Sequence, residues 1–202
     1  MSVLNPVTTI KKTWVEIPAE VQIFLKRALV IFIIWKLLYT FILFPLNTPD
    51  TQLRNATSWG TIQLLKWKFP HNIISQENRI VIDKLKEEET NLDFILKDNK
   101  KIIGIADGCN GLELYVLYIA FLFCFSAGWI KMVTYIVAGS AIIYVGNILR
   151  CYFISIMNID RFNLMEVAHH YVFKLIMYAV IFGLWVLFLK TNKQQLAVVE
   201  TK

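Results

Sequence analysis

The chain has 202 residues, is 56% hydrophobic, and carries only 18% charged residues, with a mean hydropathy of +0.52. Soluble domains hold about 25% charged residues, so this is a membrane-protein composition in which the bilayer sets the architecture. The net charge of +6 then reads as a topology signal and not as nucleic-acid binding.

The first 20 residues contain Lys11, Lys12, Glu16 and Glu20 and no apolar core, unlike a cleavable signal peptide. Residues 1–27 are expected to be a cytoplasmic N-terminal segment. Residues 28–46, "ALVIFIIWKLLYTFILFPL", are the first of four expected spans, each near the ~20 residues that cross a hydrocarbon core. Lys36 interrupts it and should face protein or snorkel, in a structural or substrate-helix role. Its depth looks different from that of Glu113. Residues 47–108 form an expected extracytoplasmic loop. Within it "TSWGTIQLLKWKF" places Trp59, Ile62, Leu65 and Phe69 roughly on one face and reads as an interfacial helix ended by Pro70. "ENRIVID" and "LDFILKDNKKIIGIA" read as strands, with Asp98–Asn99 as a hairpin turn.

Residues 109–190 hold the remaining spans: about Leu112 to Ile130 with Glu113 near its start, Met132 to Leu149, and about Tyr171 to Leu189 with Lys174 near its start. The seam Ile130–Lys131 predicts a tight helical hairpin. Gly139, Ser140 and Gly146 should permit close helix packing. Residues 191–202 are an expected cytoplasmic tail. The predicted fold class is therefore an all-α polytopic membrane protein. It has about four transmembrane helices, an interfacial helix and a small extracytoplasmic β-hairpin-like loop.

Orientation follows from Lys and Arg. With the N-terminus inside, Lys11, Lys12, Lys26, Arg27, Lys131, Lys190, Lys193 and Lys202 are cytoplasmic. The 47–108 loop, which balances nine basic against nine acidic residues, is outside. The prediction is N-in and C-in.

That topology brings three helix ends to one outer level. Cys109 precedes the second span, Asn147 and Arg150 end the third, and His169 and His170 open the fourth. A thiolate is a nucleophile whose pKa falls near cations and helix N-termini. The first unpaired N–H groups of the second span would point at Cys109, and Gly108 and Gly111 allow a substrate backbone to approach. A histidine can take the thiol proton and return one to a leaving amine. Arginine offers a rigid fork of donors to a developing oxyanion. Together they suit acyl transfer through a thioacyl-enzyme. Each residue also has a plainer reading: a small packing cysteine, a snorkelling arginine, a helix-bridging Asn147, wetted histidines. Glu113, one turn past Cys109, could orient the histidine, contact Arg150 or simply favour the helix dipole. Asp107 could cap the second span, and Lys174 more naturally snorkels outward. Cys124 reads as packing. The odd cysteine count argues against a fully paired disulfide framework, and the spacings suit no zinc site. No metal or organic cofactor is implied.

"DGCNGLEL", then "NILR" about forty residues on, then a histidine opening the last helix resembles the exosortase/archaeosortase family, as a compact variant of the Bacteroidota type. The resemblance covers roughly Ile102 to Leu189. It departs at Asn110, where Ser is usual, and at Phe173 and Lys174, where a Gly often follows the histidine by four. It implies a membrane-embedded cysteine transpeptidase or protease that cleaves C-terminal sorting signals of exported proteins. Cys109 would be the nucleophile, Arg150 the oxyanion stabiliser and His169 the general acid/base. His169 is preferred because the family often has an acidic residue after the histidine, a place His170 could fill; His170 remains the rival. The implied partners are membrane-anchored proteins ending in a motif, a helix and a basic cluster, with no nucleic acid. The implied site is the extracytoplasmic face of a bacterial inner membrane. The competing readings are a non-enzymatic assembly or accessory protein of a polysaccharide or secretion system, and a transporter or channel subunit.

Overall fold

The structure is a computed structural model that describes residues 18–46, 48–83, 88–125, 127–160 and 171–200. Helix α1 (Ala19–Leu38) passes into a π-helical turn, Tyr39–Leu43. Helix α2 (Asp50–Lys68) follows, then strands β1 (Ile74–Asp83), β2 (Glu88–Lys97) and β3 (Lys100–Ala106). A 3-10 turn, Asp107–Cys109, leads to α3 (Leu112–Cys124), α4 (Trp129–Ile159) and α5 (Phe173–Glu200).

Among the described residues two helices are long and apolar enough to cross a membrane: α4, and α5 over Phe173–Asn192. Helix α3 is apolar but only 13 residues long. It stops because Phe125 turns extended, and α4 starts after Gly128, so the break lies at Phe125–Gly128 and not at Ile130–Lys131. Helix α1 carries Lys26, Arg27 and Lys36 within its apolar run, which lowers its mean hydropathy. One hydrophobic core is built by α3, α4 and α5, which bury Tyr118, Leu122, Ile143, Met177, Ile181 and Phe188 together. Gly139 makes room for the Tyr118 ring, whose hydroxyl donates to the Tyr135 carbonyl at 2.7 Å. Gly146 lies against Met177.

Helix α4 does not end at Arg150. It runs on to Ile159, and its last turns pack on β3, where the Asn158 amide donates to the Ile102 carbonyl. The sheet is antiparallel in the order β1-β2-β3. Asp98 and Asn99 both take positive φ (49° and 64°), the geometry of a type I′ turn. The expected hairpin is thus present, with β1 added as a third strand. Ile74, Ile95 and Ile105 of the sheet close over Ile62 and Leu65 of α2 and Cys151 of α4.

Helix α2 begins seven residues before the expected Thr57, at Asp50, and stops where Pro70 requires, with Phe69 as its C-cap. Of its expected face, Ile62 and Leu65 are buried and Phe69 packs beside them; Trp59 departs. Trp59 is 63% exposed while Leu65 is fully buried. The face turned inward carries Asp50, Arg54, Thr57, Ser58 and Thr61 besides Ile62 and Leu65. It packs on α4 and the sheet, with Gly60 seated against Ile148.

Candidate active site

The segment from Asp107 to Leu112 is held at several points. Asn110 is almost fully buried. Its Nδ2 donates to Asp50 Oδ1 at 2.7 Å, and its Oδ1 accepts the Leu112 N–H at 2.8 Å. Asp50 in turn accepts the Tyr39 hydroxyl at 3.1 Å. Asn110 therefore satisfies the first orphan donor of α3, which is not left for the Cys109 thiol as the sequence suggested. Gly111 has φ of 85°, a left-handed conformation that disfavours any side chain, and a Cβ there would meet the Asn147 amide. Its glycine is explained by that turn. Around Gly108 the space is open.

Asn147 crosses from α4. Its Nδ2 donates to the Cys109 carbonyl at 3.2 Å and lies 3.4 Å from Thr57 Oγ1. Arg150, three residues on, falls on the same side of α4. Cys109 is half-buried against the cluster that contains Cys151, next to Arg150 in sequence. Two buried polar atoms here have no hydrogen-bond partner among the described residues: Asn147 Oδ1 and Arg150 Nε. Such atoms cost free energy unless something fills them, so a donor and an acceptor stand available one turn apart on the helix that holds the Cys109 carbonyl.

Beneath this lies a buried ionic group that sequence reasoning missed. Arg54, 2% exposed, pairs with Asp107 and lies 3.3 Å by its Nε from Asp93 Oδ2. Asp93 is fully buried and also accepts from Asn78 Nδ2 at 2.7 Å and Ser58 Oγ at 3.4 Å. Burial pushes the Asp107 carboxyl up, and the Arg54 guanidinium opposes that shift. Asp107 thus holds Arg54 and does not cap α3 through its side chain. The alternation of "NLDFIL" along a strand was the available signal, since it turns Asp93 to the same face as Ile95.

His169 and His170 lie outside the described residues. Glu113 is exposed and lines an elongated cavity of about 780 Å³ between α1 and α3, together with Lys36, Asp50, Asp107 and Gly108. Lys36 and Glu113 therefore share one cavity despite the different depths expected of them. Among the described residues no group of three or more His, Cys, Asp or Glu side chains is gathered as metal ligands would be.

The model of the transmembrane exosortase family (Exosortase_EpsH) matches residues 18–191. The chain belongs to that family. The matched region runs from α1 almost to the end of α5, so it includes every element that touches the Cys109 turn of this exosortase-family protein. No curated protein and no solved structure matches it.

Proposed function

We propose that this exosortase-family protein is a four-span, N-in and C-in inner-membrane cysteine transpeptidase. It cleaves C-terminal sorting signals at the extracytoplasmic face. The observation that supports it best is the Asn147 amide bonded to the Cys109 carbonyl, with buried Arg150 one turn along the same helix. That bond ties the thiol-bearing turn to the helix that carries the cation.

Cys109 Sγ attacks the scissile carbonyl as a thiolate. A histidine, His169 with His170 as the rival, removes the thiol proton and later protonates the departing amine. Arg150 stabilises the tetrahedral oxyanion, being always charged and rigidly forked. Collapse leaves a thioester on Cys109, which an acceptor nucleophile resolves. The cavity between α1 and α3 opens beside Gly108, so a substrate helix lying against α1 brings its motif to Cys109. In this reading α1 and α3 complete the four spans, α1 with its charged residues turned to protein or headgroups.

The test is processing of a co-expressed membrane protein that ends in a motif, a helix and a basic cluster. Cys109→Ala is expected to insert normally and abolish processing. Normal processing by Cys109→Ala would overturn the proposal and favour an accessory role.

A further inference from the structure

Asp50 and Arg54 lie one turn apart on the buried face of α2, and each grips the Cys109 turn from a different side. Asp50 accepts from Asn110, the residue directly after the cysteine. Arg54 pairs with Asp107, two residues before it. The main chain of Cys109 itself is held by Asn147 from α4. The turn is therefore fixed on both flanks by α2 and at its centre by α4. An isolated 3-10 turn of three residues has no comparable stability of its own.

A catalytic thiol must be held close to its productive geometry, and supporting hydrogen bonds one layer out supply that constraint. An ion pair such as Arg54–Asp107, buried on one side and 36% exposed on the other, is a poor source of net stability compared with apolar packing. Its placement on a turn that ends in a cysteine is better explained by orientation. We propose that Asp50 and Arg54 are positioning residues that set the geometry of the Cys109 thiol, Asp50 through Asn110 and Arg54 through Asp107. The inference rests on Cys109 being the working thiol. It gives α2 a role in the site, and it accounts for Asn110: an amide there both caps α3 and latches onto Asp50, and a serine is too short to reproduce both bonds in this arrangement.

The experiment uses the full chain in membranes, a neutral maleimide, and mass mapping of the label to each cysteine. Cys109 is half-buried, whereas Cys124 and Cys151 are buried and serve as controls for general loosening. Asp50→Ala is expected to speed Cys109 labelling at least fivefold with no gain at Cys124 or Cys151. Asp50→Asn keeps an oxygen for Asn110 and should stay within twofold of the native rate. Asn110→Ala should match Asp50→Ala, and Arg54→Lys, which cannot span Asp93 and Asp107 with one fork, should also accelerate labelling. A native labelling rate in Asp50→Ala overturns the inference, as does equal acceleration in Asp50→Asn, or parallel labelling of all three cysteines. Processing should fall in the same order. The labelling order stands independently of processing, so failure of the latch and failure of the transpeptidase reading give different results.

Discussion

Arg150 and Gly111 carry the two predictions that single side chains decide. Arg150 is 7% exposed and its Nε has no hydrogen-bond partner among the described residues, so a buried donor stands on the helix whose Asn147 holds the Cys109 carbonyl. Arg150→Lys keeps the charge but loses the planar fork. Processing is expected to fall at least a hundredfold, in line with loss of one oxyanion donor, about 3 kcal/mol of transition-state stabilisation. Insertion and expression should be unchanged. A variant within tenfold of the native rate would remove Arg150 from the chemistry. Gly111 tests conformation. An alanine must adopt φ near 85°, with its Cβ in van der Waals contact with the Asn147 amide. The left-handed conformation alone costs about 1–2 kcal/mol, so Gly111→Ala should lower the thermal unfolding temperature and slow processing together. Loss of processing with unchanged stability would point instead to substrate contact at Gly111.

At the level of elements, the strands and turns were readable and the polar part of the inner face of α2 was not. Asp98–Asn99 announces a tight hairpin because both residues tolerate positive φ, and Pro70 stops α2 because it disfavours helix at the preceding residue. The apolar spans follow from lipid, which requires internal satisfaction of every backbone group. On helix α2 the apolar Ile62 and Leu65 were legible, but Asp50, Arg54, Thr57, Ser58 and Thr61, which share their inward face, were not. Buried polar groups are legible only through their partners, and Asp93, Asp107 and Asn110 come from distant points in the chain. The extension of α4 past Arg150 was hidden because that charge interrupts the run, although the following "CYFISIM" is apolar too and Cys151 and Ile156 pack under the sheet. The hairpin turn gives a pH prediction. Asp98 Oδ1 accepts the Ile73 N–H and Oδ2 accepts from Asn72, which hold its carboxyl below the usual range. A depressed carboxylate stabilises the fold above its unfolded pKa and loses that contribution as pH falls through its folded pKa. The protection of the Ile73 N–H against exchange, relative to its intrinsic rate at each pH, should therefore fall in acid below about pH 4, and Asp98→Asn should abolish that acid step. An unchanged acid step in the variant would assign it to another group.

The whole molecule turns on the length of α4. Its 31 residues span about 46 Å, against a hydrocarbon core of about 30 Å. Arg150 lies about 32 Å from the start of α4 at Trp129, close to one core thickness. The surplus beyond Arg150 packs under the sheet, while α2 also meets α4 before Arg150, at Tyr144, Asn147 and Ile148. In the proposed topology one continuous helix links the α3–α4 connection at one membrane surface to Cys109 and its supporting residues at the other. The proposed N-in, C-in topology makes those two ends differ in access. In a Cys109→Ala background, Asn99→Cys in the exposed β2–β3 turn should react in intact cells with a membrane-impermeant maleimide. Ile130→Cys, at a position 82% exposed at the start of α4, should react only after permeabilisation. The reverse pattern would place the sheet, the Arg54 ion pairs and the thiol on the cytoplasmic side, where exported substrates could not present a processed motif. Labelling of both positions in intact cells would mean that α4 does not span the bilayer, and the surplus-length argument would fail with it.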